Sequence, residues 1–148
     1  MKNLEPSDLK NFNIFKHYRI IRKWACKNNE LNEPDLELLF YLDCIDLFTK
    51  NDFKKGVYSY SWNNRRWNLL LKNNWIKIWR ERNRTTQKYN IYTLTYKAKL
   101  LINTVYKIIL GEIDIPTSEK RNKIIKGKTY IDKVLTKSIY NVNKDKYR

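Results

Sequence analysis

The chain predicts a mainly α-helical fold with one small β-hairpin. Only three Gly and three Pro occur in 148 residues, too few for the tight turns of a many-stranded sheet. Apolar residues recur at helical spacing over most of the first 110 positions, and period-2 alternation is confined to two short runs, 75–80 and 88–94. Charge is concentrated as well. Ser61 to Leu110 carries eleven Lys and Arg against one acid, Glu81, so this segment holds +10 of the chain's +16. A basic block of that kind is the electrostatic footprint of a protein that meets nucleic acid.

The first helix is expected over Phe12 to Lys27, where Ile14, Tyr18, Ile21 and Ala25 repeat on one side, with Phe15 and Trp24 beside them. A connector, Asn28 to Leu31, leads to Asn32, a good N-cap. Glu33, Pro34 and Asp35 then occupy the first turn, where the helix dipole favours acids and Pro needs no amide partner. Leu36, Leu39, Phe40, Asp43 and Leu47 mark this helix, expected to end near Phe48 and to be apolar around much of its circumference. Thr49 caps a short helix, Lys50 to Lys55, which Gly56 stops.

Val57 to Tyr60 reads as the turn, and Ser59 or Ser61 caps a further helix to about Lys72. Its wheel places Asn63, Trp67, Leu70 and Leu71 on one face. Ser61, Arg65, Leu69 and Lys72 lie opposite, with Asn68 at the edge. Asn73-Asn74 ends it, either residue being able to take the left-handed conformation usually given to Gly. Trp75 to Arg80 alternates as a strand, Glu81 to Gln87 is a polar loop, and Lys88 to Leu94 returns as a second strand. Thr95 caps a helix from Tyr96 to Leu110, closed by Gly111. Beyond it Ile113 to Pro116 reads as a linker and Thr117 to Lys128 as a basic, weakly patterned stretch. Tyr130, Val134, Leu135 and Ile139 allow one last short helix.

Three stretches carry a family likeness: LLKNNWIKI (Leu70 to Ile78), RERNRTTQKYNIYTLT (Arg80 to Thr95) and TLTYKAKLLI (Thr93 to Ile102). The first is similar to a recognition-helix end running into a wing, with Asn74 where a Gly is usual. The second is similar to a basic wing, and the third to the strand end that opens the next helix. Over residues 12 to 110 the chain resembles the winged helix-turn-helix domain, particularly that of MarR-type regulators. Residues 1–111 are accordingly expected to be a winged helix-turn-helix domain, and the change of character from Glu112 makes residues 112–148 a basic C-terminal tail with a possible short helix. The resemblance also implies double-stranded DNA as partner and a homodimer formed by the first helix, the Tyr96–Leu110 helix and the tail.

On the expected recognition helix, Ser61, Asn64, Arg65, Arg66, Asn68 and Lys72 are the candidate contacts. Arg offers a fork to guanine O6 and N7, and Asn does the same for adenine N6 and N7. Ser hydroxyls and amides at a helix start suit phosphates. Lys77, Arg80, Arg82, Arg84 and Lys88 extend the surface along the hairpin, for a minor groove or for phosphates. The bland reading of both sets is a solvated helix face and a solvated hairpin with surplus charge. Trp62 and Leu69 point to the same side, as contacts for thymine methyls and sugars or as part of a protein interface. Trp67 and Trp75 are expected in the core. Tyr58, Tyr60, Trp62, Trp79, Tyr89 and Tyr92 leave stacking on unpaired bases open as an alternative.

Other classes find little in the sequence. The opening MKNLEPSDLKN has no apolar run behind its Lys, and no stretch approaches eighteen apolar residues, so neither a secretory signal nor a membrane span is expected. Cys26 and Cys44 are not spaced as a metal pair and are expected as buried free thiols of a reducing compartment. His17 is the sole histidine, without a patterned Cys or acid partner, and no phosphate loop or nucleophile elbow occurs. The expectation is a non-enzyme without metal or cofactor, cytoplasmic if a regulator. The alternative is a phage virion or assembly protein carrying the same module, meeting protein or DNA without sequence preference.

Overall fold

The computed structural model describes residues 3–12, 14–56, 64–83 and 85–145. The elements are α1 (Pro6–Phe12), α2 (Ile14–Asn29), α3 (Glu33–Ile45), α4 (Lys50–Gly56), α5 (Asn64–Lys72), β1 (Ile76–Arg80), β2 (Ile91–Leu94), α6 (Tyr96–Ile109), α7 (Lys123–Lys126) and α8 (Tyr130–Asp145). The chain is mainly helical with a two-stranded antiparallel sheet. It divides into two compact units. One comprises Met1–Glu33 with Asn103–Arg148, the other Pro34–Ile102, so the division falls inside α6.

In the central unit, α3 buries Leu36, Leu38, Leu39 and Leu42. Asp46 takes a left-handed φ of 72° just past its end, and the chain bends through Leu47, whose amide donates to Ile45 O at 3.1 Å. Phe48 pairs antiparallel with Tyr92 as an isolated bridge. Thr49 caps α4 reciprocally: its amide donates to Asp52 Oδ2 at 2.9 Å, and the Asp52 amide donates back to Thr49 Oγ1 at 3.3 Å. Phe53 of α4 is fully buried and lies 4.9 Å, centroid to centroid, from Trp67 of α5. Edge contacts from Phe48 and Tyr92 complete an aromatic core around that indole.

The exit of α5 is a Schellman turn. Asn74 adopts φ 61°; its amide donates to Leu71 O at 3.2 Å and the Trp75 amide to Leu70 O at 2.9 Å. Asn tolerates this left-handed position far better than a β-branched residue does, so the helix can turn directly into β1. The ladder runs Ile76↔Leu94, Lys77↔Thr93, Ile78↔Tyr92 and Arg80↔Ile91, with a register shift that leaves Trp79 in a bulge.

In the terminal unit, α2 buries Ile20, Ile21, Trp24, Ala25 and Cys26 and packs against α7 and α8. Gly111, at φ 78°, closes α6 in a second Schellman turn: its amide donates to Ile108 O, and that of Glu112 to Lys107 O. The segment beyond is held by amide side chains. Asn122 is wholly buried, donating to Pro116 O at 2.7 Å and accepting from the Ile124 amide at 3.0 Å. Asn143 of α8 clamps Ile115 at both its amide and its carbonyl. Asp132 of α8, also buried, accepts from Lys27 Nζ of α2.

Several expectations are corrected. The helix expected over Phe12–Lys27 is α2, Ile14–Asn29, and a further helix, α1, precedes it, started by Pro6 and Asp8: the Glu5 amide donates to Asp8 Oδ2 at 2.9 Å. The second helix stops at Ile45, since Phe48 is taken into pairing with Tyr92. The return strand begins at Ile91 instead of Lys88, its preceding residues being held by side chains. The segment after Gly111 groups with residues 1–33 in one compact unit, Asp132 accepting from Lys27 and the Lys123 amide and ammonium donating to Asn28 Oδ1 and Glu30 Oε1, and its last helix has 16 residues. Cys26 is buried as expected, but Cys44 is exposed.

Candidate nucleic-acid interface

The described part of α5 presents two unlike sides. Trp67 and Leu70 are buried, each with 2% of its surface accessible, whereas Asn64, Arg65, Asn68, Leu69 and Lys72 are exposed. The helix is thus anchored by its inner face, and its outer face carries amide and cationic groups. Ser61, with Ser59, Tyr58, Tyr60, Trp62 and Asn63, lies outside the described residues, as does Arg84 of the hairpin loop.

Arg66 differs from its neighbours. Its Nε lies 2.8 Å from Asp35 Oδ1, and both side chains are mostly sheltered, at 20% and 16% exposure. Sequence reasoning grouped Arg66 with Arg65 as a contact residue. In the structure it ties α5 to α3, which the acid in the first turn of α3 could have signalled.

The turn from α5 into β1 is held from three directions. Besides the Schellman bonds, Thr95 Oγ1 donates to Asn74 O at 2.6 Å and the Thr95 amide to Trp75 O at 3.1 Å. Lys97 lies over the Trp75 ring, 3.9 Å from its centroid, and donates to Asn73 O at 3.1 Å. The orientation of the hairpin on α5 is therefore fixed by the chain immediately around it.

Lys77, Arg80, Arg82 and Lys88 are all exposed on that hairpin. Its loop is stitched by amide side chains in place of ladder bonds. Asn90 Oδ1 accepts from the Arg82 amide at 2.6 Å, and Gln87 Nε2 donates to Tyr89 O at 2.7 Å and Glu81 O at 3.3 Å. Asn83 Oδ1 accepts from the Thr85 amide and hydroxyl. Asn83 and Gln87 also pair as an isolated bridge. By sequence Gln87 is an ordinary loop position and Asn90 an ordinary strand position; three Asn and Gln within the eight residues 83–90 are the signal that marks them.

Net positive charge extends from the hairpin to α4, which sequence reasoning left out of the surface. Thr49, Lys50, Asn51, Asp52 and Lys54 form one wall of an open groove whose other wall is Arg82, Lys88, Tyr89, Asn90 and Tyr92.

Elsewhere, His17 Nε2 lies 3.9 Å from Asp145 Oδ2, joining α2 to the end of α8. Among the described residues no group of three or more His, Cys, Asp or Glu is placed to hold a metal ion. No helix among them is long and apolar enough to cross a membrane. No protein-family model, curated protein or solved structure matches the chain.

Proposed function

We propose that this protein binds duplex DNA through a winged helix-turn-helix in its central unit, as a dimeric MarR-like transcriptional regulator. The observation that carries the reading is α5 itself. A helix locked inward by Trp67 and Leu70 offers Asn64, Arg65, Asn68 and Lys72 outward, and a constrained turn joins it to a hairpin bearing Lys77, Arg80, Arg82 and Lys88. Helix and hairpin are the sizes that fit a major groove and the backbone or minor groove beside it. The Phe48–Tyr92 bridge supports the same reading, since it ties the approach to α4 onto the returning strand of the hairpin.

Arg65, Asn64 and Asn68 are the base-reading candidates; Lys72 and the hairpin cations neutralise phosphates. Arg66 acts on the surface indirectly, by holding α5 to Asp35. The dimer would form through the terminal unit, whose Phe15, Tyr130 and Ile131 are 84%, 82% and 66% exposed. No catalytic role is included.

One observation favours a second reading, a phage virion or assembly protein. Leu69, Ile78 and Trp79 are 42%, 46% and 53% exposed on the same helix and hairpin, as a protein-facing surface would require.

The deciding experiment selects bound sequences from a random duplex pool at two salt concentrations. An enriched pseudo-palindrome that Arg65→Ala abolishes, with a salt slope of about −5 for six phosphate contacts, is expected of the regulator. Flat selection with defined binding to other proteins would replace it by the assembly reading.

A further inference from the structure

The open groove between α4 and the hairpin has about 970 Å³ of space, within the range of small-ligand sites. Both walls are preorganised. Thr49 and Asp52 bond reciprocally at the start of α4, and buried Phe53 fixes that helix against Trp67. Opposite, Gln87 Nε2 holds the Tyr89 carbonyl at 2.7 Å and Asn90 Oδ1 holds the Arg82 amide at 2.6 Å. At the floor, Tyr92 is bonded through both backbone groups to Phe48.

The lining chemistry is selective. Lys50, Lys54, Arg82 and Lys88 supply four cations against one acid, Asp52. That carboxylate already accepts from the Thr49 amide and hydroxyl, so the groove favours an anion. It also contains an aromatic ring, Tyr89, with 69% of its surface accessible although its backbone is pinned. An exposed ring lining a cationic groove suits a ligand combining phosphate with a planar base.

We infer that this groove binds a nucleotide unit, with its phosphate at Arg82 and Lys88 and its base stacked on Tyr89. The site leaves the outer face of α5 free but shares Arg82 and Lys88 with the hairpin surface proposed for duplex phosphates, and its occupant is either a free nucleotide or an unpaired nucleotide of a strand.

The test is calorimetric titration of the full chain with adenosine 5′-monophosphate and with a short oligodeoxyadenylate strand, each with and without inorganic phosphate as competitor. Tyr89→Ala should weaken the nucleotide ligand about tenfold, while Tyr89→Phe retains it and inorganic phosphate competes poorly. Comparable affinity for monophosphate and strand identifies a free nucleotide; far tighter binding of the strand identifies an unpaired one. Absence of binding, equal competition by inorganic phosphate, or indifference to Tyr89→Ala overturns the assignment. Duplex binding serves as the separating control: Tyr89→Ala leaves it intact and Arg65→Ala leaves monophosphate binding intact, so either reading can fail alone.

Discussion

Phe48 and Tyr92 exchange both backbone hydrogen bonds, the Phe48 amide donating to Tyr92 O at 3.0 Å and the Tyr92 amide to Phe48 O at 2.7 Å. Their rings stack with centroids 6.4 Å apart. A single residue pair thereby fastens the approach to α4 onto the returning strand of the hairpin, and both rings bear on Trp67. Phe48→Ala should cost about 3–5 kcal/mol of central-unit stability, through lost burial and an unfilled cavity. Hydrogen exchange at the Tyr92 and Trp67 amides measures it; unchanged protection would refute the aromatic core as the unit's fastening.

Arg66 and Lys72, both cationic on α5, should separate in their effects. Arg66→Ala leaves Asp35 sheltered without the guanidinium 2.8 Å away and should lower stability by about 2 kcal/mol. Lys72→Ala, at an exposed position, should change stability by less than about 0.5 kcal/mol and reduce the salt slope of duplex binding by about 1. Urea titration beside salt-dependent binding of both variants reads the two effects.

The hairpin's order depends on neutral side chains. Asn90→Ala removes the acceptor of the Arg82 amide, worth about 1 kcal/mol. Duplex affinity should fall about fivefold with an unchanged salt slope, because no charge is lost. A changed slope would mean that Asn90 does more than order the loop.

Asp132 sets an acid limit on the terminal unit. The Lys27 ammonium that bonds its carboxylate, then Thr129, holds its pKa below the usual 3.8. A carboxylate depressed on folding contributes stability above its unfolded pKa and loses it as pH falls through the folded value. Unfolding of α2 and α8 should therefore steepen below about pH 3.8, and Asp132→Asn should flatten that limb while lowering stability at neutral pH. Circular dichroism across an acid titration provides the comparison.

Gly127 lies against the same carboxylate. A Cβ there would fall 2.1 Å from Asp132 Oδ2 and 3.0 Å from Asp132 Cβ, too close for any side chain. Gly127→Ala should displace Asp132 from Lys27 and lower the thermal midpoint. Combined with Asp132→Ala it should cost less than the sum of the two singles; strict additivity would disconnect the two sites.

Local elements with strong chemical punctuation can be read directly from the order of residues. Thr49 before α4, Thr95 before α6, Gly111 after it and Asn74 between α5 and β1 are legible because capping and left-handed turns depend on a residue's own side chain. The inward face of α5 was legible for a similar reason, Trp67 and Leu70 falling at helical spacing. Pairings between distant positions emerge only once the chain is folded. Arg66 looks identical to Arg65 until Asp35 is brought against it. Phe48 reads as a helical residue until Tyr92 offers two backbone bonds. The residues after Gly111 read as a loose basic stretch because their anchors, Asn122, Asp132 and Asn143, are polar, and polar residues signal burial only once their partners are known.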